Sequence, residues 1–411
     1  MRTILLLDMS FTLKMIRERH LTQALESRQL NGYFDHVISV HPLAGLFETG
    51  ADRFGQPVVT DLTDSHVFVE GKIGASEFWR FVPPVNLFLA QIRLIRLLFK
   101  MAKEKKVDII RIGDPYYLGL MGWVLSRLLH VPLAIRVCFN YDRHFEVTGK
   151  AVFPRLFRYR WLEKYIERFV FPKCTLVAGA NQNNLDYAIA NGAKPETAVV
   201  FRYGNLIHPE HFEEPQMRGG GERRIAALGL AGPFLMTISR LELIKYSQHN
   251  LFVLQALRAA GFDLNLLYVG EGSLRGELER MTQELHLGGH VYFAGNQSQE
   301  WIAEVLPKAS LVLSPHMGRA LVEACLAGVP IVAYDFEWQG ELIQDRVTGR
   351  LVAEKDWKAM ARVSEDLLKH LPEAHRIGRQ ARDVAMDMMA PDRLTQIEIQ
   401  AYENILTEKK S

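Results

Sequence analysis

Cysteine is scarce. Cys138, Cys174 and Cys325 are the only three among 411 residues, and no two form a CxxC pair. That argues against a disulfide framework or a thiolate zinc site and fits a reducing compartment. An excess of one charge is also lacking: 49 Lys and Arg against 47 Asp and Glu leave a net charge of +2, which makes no general case for nucleic acid as a partner. No run of about 18 apolar residues occurs, so no transmembrane helix is expected. The opening MRTILLLDMSF meets an acid too soon for a signal peptide and fits a first buried strand. GxGxxG does not follow that strand, which weakens a hydride-transfer reading. No acid cluster calls for a metal, and no short repeat is visible.

What remains is an ordinary globular composition, 48% hydrophobic and 23% charged, over a length that suits two domains. Short apolar runs recur: TILLLD (3–8), HVISV (36–40), DIIRIG (108–113), PLAIRV (132–137), LVAGA (176–180) and AVVFR (198–202). A second series is FLMTISR (234–240), NLLYVG (265–270), VYFAGN (291–296), SLVLSP (310–315) and PIVAYD (330–335). Runs of this kind suit parallel strands buried on both faces, and amphipathic helical stretches separate them. The pattern predicts two doubly wound, Rossmann-like α/β domains facing a central cleft. The expected boundaries are 1–212, a Pro- and Gly-rich linker at 213–232, and 233–390. The helical tail 391–411 either closes the second domain or packs back on the first.

In such sheets, ligands sit past the carboxyl ends of strands. In the second half those positions hold Arg240 and Lys245, Gly270 and Glu271, Asn296, the segment from Pro315 to Arg319, and Asp335. SPHMGRALVEACLAGVPIVAYD reads as strand end, turn, helix and strand. A helix opening at Gly318 would offer free N–H groups to a phosphate. Arg240 and Lys245 would add cations, and Glu323, one turn in, could hold a ribose diol.

The pieces SRLELIKYS, YVGEGSLRGELE, VYFAGNQSQEWIAEVLPKASLVLSP, GRALVEACLAGVPIVAYD and GELIQDRVTGRLV stand in family order over about 236–353. Together they resemble the donor domain of the retaining GT-B glycosyltransferases of family 4. FRYGNLIHPEHF (201–212) is similar to the segment that leaves that family's N-terminal domain. The resemblance implies that Arg240 and Lys245 bind the donor diphosphate and that Glu323 holds the ribose. It implies that Gly318, Arg319, Ala320 and Leu321 form the helix start beneath the diphosphate, with Gly270, Glu271 and Asn296 lining the donor site. No metal is implied, and the nucleotide sugar is a co-substrate rather than a cofactor.

Two departures stand out. The first acid of the family's paired-glutamate motif is replaced by Pro315, with His316 beside it as the candidate substitute. The family's histidine after the strand PLAIRV is replaced by CFNYDRHFE, where Asp142 and His144 are candidates for catalysis and Asn140 for a polar contact. Ser10 and Thr12 (in DMSFTLKMIRER, 8–19) and Asp114 and Tyr116 (in GDPYYLG) are the remaining acceptor-side candidates.

Residues 78–106 are apolar and basic, and 150–173 are basic and aromatic. Both suit contact with an anionic membrane surface as well as a core with a solvated face. The expected activity is metal-independent, retaining transfer of a sugar from a nucleotide diphosphate donor to a glycan or lipid-linked glycan. Bacterial surface polysaccharide assembly is the expected setting, in the cytoplasm or on the inner face of its membrane. The rivals are a non-catalytic nucleotide-sugar or glycan scaffold, suggested by Pro315, and a nucleotide-sugar epimerase of the same architecture.

Overall fold

The computed structural model describes residues 1–18, 23–153 and 157–408. Arg19 of the loop after the first strand, residues 154–156 of the basic aromatic stretch, and residues 409–411 of the tail lie outside the described residues. The chain forms two compact units. The first comprises Met1–Asp142, Lys150–Arg202 and Asp392–Ser411; the second comprises Arg143–Gly149 and Tyr203–Pro391.

The first unit is built on eight strands: β1 (Thr3–Leu7), β2 (His36–His41), β3 (Val58–Thr63), β4 (His66–Glu70), β5 (Ile109–Ile112), β6 (Leu133–Val137), β7 (Leu176–Gly179) and β8 (Ala198–Val200). Their order is β3-β4-β2-β1-β5-β6-β7-β8, parallel throughout except for β3 against β4. β1 is central, with Leu5 level with Ile38 on one side and Ile110 on the other. All five of its residues are buried, as a strand covered on both faces requires. β3 and β4 lie outside the expected runs. β3 is an antiparallel edge strand whose residues are exposed or half-buried, so it carries Thr and Asp where a central strand carries Ile and Leu.

The second unit holds β9 (Phe234–Ile238), β10 (Asn265–Val269), β11 (Val291–Phe293), β12 (Leu311–Ser314), β13 (Ile331–Asp335) and β14 (Arg350–Ala353). This sheet is wholly parallel, in the order β11-β10-β9-β12-β13-β14. β14 was not among the expected strands, because its half-buried, Arg-led sequence forms no apolar run.

The stretch 213–232 is not a free linker. Arg218 is buried and donates to the carbonyls of His211 (2.6 Å), Glu213 (2.7 Å) and Leu326 (3.2 Å). The helix Gly221–Ala227 packs on the helix Gln299–Val305. A Cβ at Gly221 would lie 2.2 Å from the carbonyl oxygen of Glu304, so this glycine serves close packing rather than flexibility.

The helix Pro391–Glu408 contributes its residues from Asp392 onward to the first unit. Its Tyr402 packs edge-on against Phe34 and Phe201. Its buried Glu398 accepts from Arg111 of β5 at 2.7 Å and lies 3.6 Å from Arg136 of β6.

Candidate active site

A doubly wound sheet collects ligands where the direction of winding reverses. In the second unit that point lies between β9 and β12, which are neighbours in the sheet although β10 and β11 separate them in sequence. Arg240 lies two residues past β9 and is exposed. The chain then makes a tight turn, Leu243–Lys245, closed by Tyr246 in the left-handed region at φ 50°. That turn carries Lys245 inward, where burial, opposed by Glu337 and aided by Arg240, leaves its pKa lowered to about 8.

Past β12, Pro315 and His316 are both buried. The His316 ring has its Nδ1 3.0 Å from the Ile244 carbonyl and 3.5 Å from Lys245 Nζ, and its Nε2 3.0 Å from Glu337 Oε2. Both nitrogens thus meet acceptors, and the ring can donate to both only as imidazolium. Burial and Lys245 lower its pKa, while Glu337 opposes them.

This loop is held by a residue outside the expected set. Gln339 is fully buried past β13 and donates to the carbonyls of Tyr334 (3.0 Å), Pro315 (3.1 Å) and Ser314 (3.2 Å). Its carbonyl oxygen accepts from Met317 N (3.1 Å) and from the Ser314 hydroxyl. One amide therefore satisfies most of the backbone of the turn, which fixes where His316 and Gly318 stand.

The two candidate glycines are needed for different reasons. Gly270 is at φ 128°, and a Cβ there would lie 2.1 Å from the Ser239 carbonyl oxygen, so the fold itself demands it. At Gly318 a Cβ would meet nothing within 4 Å. The space over its backbone is open, as an approaching ligand would need.

The helix begins at Ala320 and ends at Leu326, seven residues in all, so it starts later and is shorter than expected. Leu321 is core, and its N–H already donates to the Gly318 carbonyl at 3.0 Å, so it is not a ligand contact. Glu323 is buried and accepts from Arg319 Nε at 3.3 Å, while Arg319 also donates to the Leu206 carbonyl. Glu271 is exposed and paired with Arg275 at 3.0 Å, and Asn296 is exposed.

The reversal in the first unit lies between β1 and β5. Asp8, unremarked in the sequence, is the centre there. Burial raises its pKa, but Arg28 (Nη2 to Oδ2, 2.9 Å) and Ser10 outweigh that and leave it lowered. Asp114, at the tip of β5, is pushed up to about 7 by burial, with Asp8 adding to the shift; the backbone N–H of Tyr116 bonds to it at 2.8 Å and opposes the rise. His41, at the end of β2, is buried and held below its usual pKa, with Asp8 opposing. Two carboxylates with oppositely displaced pKa values at one sheet edge are a common acid–base arrangement.

Other acceptor-side expectations fall elsewhere. Tyr116 is wholly buried, its hydroxyl bonded to Glu167 and to Arg160 (2.9 Å), so it is core rather than a ligand contact. Thr12 caps the helix Leu13–Glu18 through Met15 N (3.3 Å). Asp142 is gripped by Arg160 (2.7 Å), Lys164 (2.7 Å) and Asn191 (3.1 Å). Burial would raise its pKa, but these bonds leave it lowered, which suits a structural anion and not a base. Asn140 is buried and donates to Asn183 at 3.0 Å. His144 is half-buried in the helix Tyr141–Thr148, and its carbonyl accepts from Thr148.

Residues 222–384, nearly all of the second unit's main segment, match the model of the family "Glycosyl transferases group 1". The second unit is a group 1 glycosyltransferase domain, and the chain is a glycosyltransferase. It is 22% identical over 335 residues to an alpha-monoglucosyldiacylglycerol synthase of Streptococcus pneumoniae, spanning 78% of this chain and 73% of that one. Among solved structures, the fold is similar to that of Anabaena HepE in complex with UDP and glucose (TM-score 0.72, 18% identity, 98% of this chain and 100% of that one). It is also similar to that of sucrose-phosphate synthase from Thermosynechococcus elongatus (TM-score 0.74, 17% identity, 99% and 100%). The glycosyltransferase has the GT-B fold, with both sheets doubly wound. Within its matched segment lie Arg240, Lys245, His316, Gly318, Glu323, Glu337 and Gln339.

Proposed function

We propose that this glycosyltransferase takes a sugar from a nucleotide diphosphate donor held by the second unit. It delivers that sugar, with retention and without a metal, to a glycan or lipid-linked glycan read by the first unit. One observation carries the reading: Arg240 and the buried Lys245 flank the reversal between β9 and β12, beside open space over the Gly318 backbone. Two cations and free N–H groups are what a departing nucleoside diphosphate requires, and they do the work a metal would otherwise do. Glu323, one turn further on, suits a ribose diol. The UDP and glucose bound by the structurally similar HepE agree with such a donor.

The test is a calorimetric panel of UDP, GDP, ADP and dTDP with their glucose esters, run with and without chelator. One base should bind, and chelator should not weaken it. Chelator-sensitive binding would refute metal independence, and no binding by the folded protein would refute the donor site. The anomer of the product, followed by NMR, decides between retention and inversion.

The first unit supports a lipid-linked acceptor and the inner face of a bacterial membrane as the setting of surface polysaccharide assembly. Phe78 and Phe81 are 80% exposed, and Trp79, Val82, Val85 and Phe88 are exposed beside them. Arg80 lies over the Phe81 ring at 4.8 Å. Aromatic side chains with a cation among them suit an anionic bilayer interface. The helix Pro83–Glu104 follows the carboxyl end of β4, so its start lies toward the sheet edge that carries Asp8 and Asp114. The name of the S. pneumoniae relative refers to the synthesis of a glucosylated diacylglycerol, a lipid product. No described helix is long and apolar enough to cross a membrane. Vesicles containing phosphatidylglycerol should sediment the protein. The triple replacement Phe78→Ser, Phe81→Ser and Phe88→Ser should abolish this without changing Tm. Unchanged sedimentation would remove the patch from the proposal.

A further inference from the structure

Three adjacent strand tips of the second unit, those of β9, β12 and β13, bring Lys245, His316 and Glu337 into one buried cluster. The first two stand where the donor diphosphate is proposed to bind. Glu337 has no role in that account, and its environment is unusual in three respects.

Its side chain is only 6% exposed. One oxygen, Oε2, lies 3.0 Å from His316 Nε2, while Oε1 is buried and has no hydrogen-bond partner among the described residues. Its backbone is in the left-handed region at φ 51°, where non-glycine residues seldom lie. A carboxylate that served only to hold His316 would be expected to have both oxygens satisfied, because an unpaired buried acceptor costs the desolvation of that group. Here the loop is strained, a charge is buried and one acceptor is left open, all at the ligand edge of the sheet.

The missing partner must be a hydrogen-bond donor. A phosphate has none to offer, and Lys245 with Arg240 already suits the anion. The remaining polar part of a nucleotide sugar next to its diphosphate is the sugar ring, whose hydroxyls donate. Pro315, the residue before His316, has no side-chain acceptor to meet them. We infer that Glu337 is the residue that recognises the donor's sugar. Its Oε1 accepts a hydroxyl hydrogen, while His316 Nε2, 3.0 Å away, fixes the carboxylate through Oε2. Glu337 is thus a specificity-determining contact supplied by the loop after β13.

This inference rests on the donor-site reading above, and the experiment separates the two. Glu337→Gln keeps the volume but exchanges one acceptor for a donor. Binding of UDP, GDP, ADP and dTDP, and of their glucose esters, is measured by calorimetry for wild type and variant, together with turnover. For the base that binds, the variant should keep wild-type affinity for the free diphosphate and lose roughly tenfold or more for the sugar ester, with transfer reduced at saturating donor. Glu337→Asp should recover part of the ester affinity. Retained diphosphate binding also shows that the variant is folded. If Glu337→Gln binds the ester and turns it over as wild type does, the inference is overturned while the donor site stands. If wild type binds no nucleotide at all, the donor site fails and the inference fails with it.

Discussion

Lys245→Met should slow sugar transfer by about 10²–10³-fold, the usual cost of removing one preorganised donor from developing negative charge. Methionine fills the same space, so the turn Leu243–Lys245 should persist. The loss should appear mainly in kcat, because the diphosphate gains charge as the bond to the sugar breaks. A rate near wild type would exclude Lys245 from the reaction.

The burial of this lysine also sets a pH signature. In the free protein its pKa is about 8, down from 10.5. A bound diphosphate stabilises the ammonium and raises that pKa again. Binding should therefore take up almost no proton near pH 6.5 and approach one proton at about pH 9. Calorimetry in buffers of different ionisation heat measures this uptake directly. The same shift makes a stability prediction of definite sign. Between about pH 8 and 10.5 the unfolded chain binds a proton that the folded chain lacks, so Lys245 adds stability as pH rises through that window.

The second large effect is structural. Glu398→Ala should destabilise the first unit by about 3–5 kcal/mol, because it leaves Arg111 and Arg136 charged in the sheet without their carboxylate. Glu398 is 2% exposed and touches both. Arg136 would keep its bonds to the carbonyls of Phe201 and Arg202 at 3.2 Å, but these carry no compensating charge. Hydrogen exchange should show the helix Pro391–Glu408 losing protection first. The triple replacement Arg111→Met, Arg136→Met and Glu398→Met should recover much of the loss, since apolar residues of similar volume often replace a buried ion pair or triad without cost. Unaltered protection in Glu398→Ala would mean that Tyr402 and its aromatic neighbours hold the helix alone.

Central strands were legible because they are buried on both faces and so read as unbroken apolar runs. β1, β9 and β10, every residue of them buried, are of this kind. β3 and β14 escaped because an edge or half-covered strand needs no such run. At the site, the rule of looking just past each strand found Arg240, Lys245 and His316. It failed at β13, where the strand's last residue, Asp335, is exposed and the buried polar side chains beyond it are Glu337 and Gln339. The left-handed turn at Glu337 produces that offset, and nothing in the spacing announces it. Tyr116 misled for the opposite reason. Glu167 and Arg160, 44 residues or more away, form a buried ion pair that draws its hydroxyl into the core.

The helix that carries Glu398 has a consequence for how the protein is made. The first unit is not continuous in sequence, for all of Tyr203–Pro391 is translated before Asp392 appears. At about 5–20 residues per second that interval is roughly 10–40 s. Throughout it, Arg111 of β5 and Arg136 of β6 lack the carboxylate of Glu398. The nascent first unit must wait, incompletely neutralised, while the second folds, and in that interval it is open to chaperones or to any other passing carboxylate.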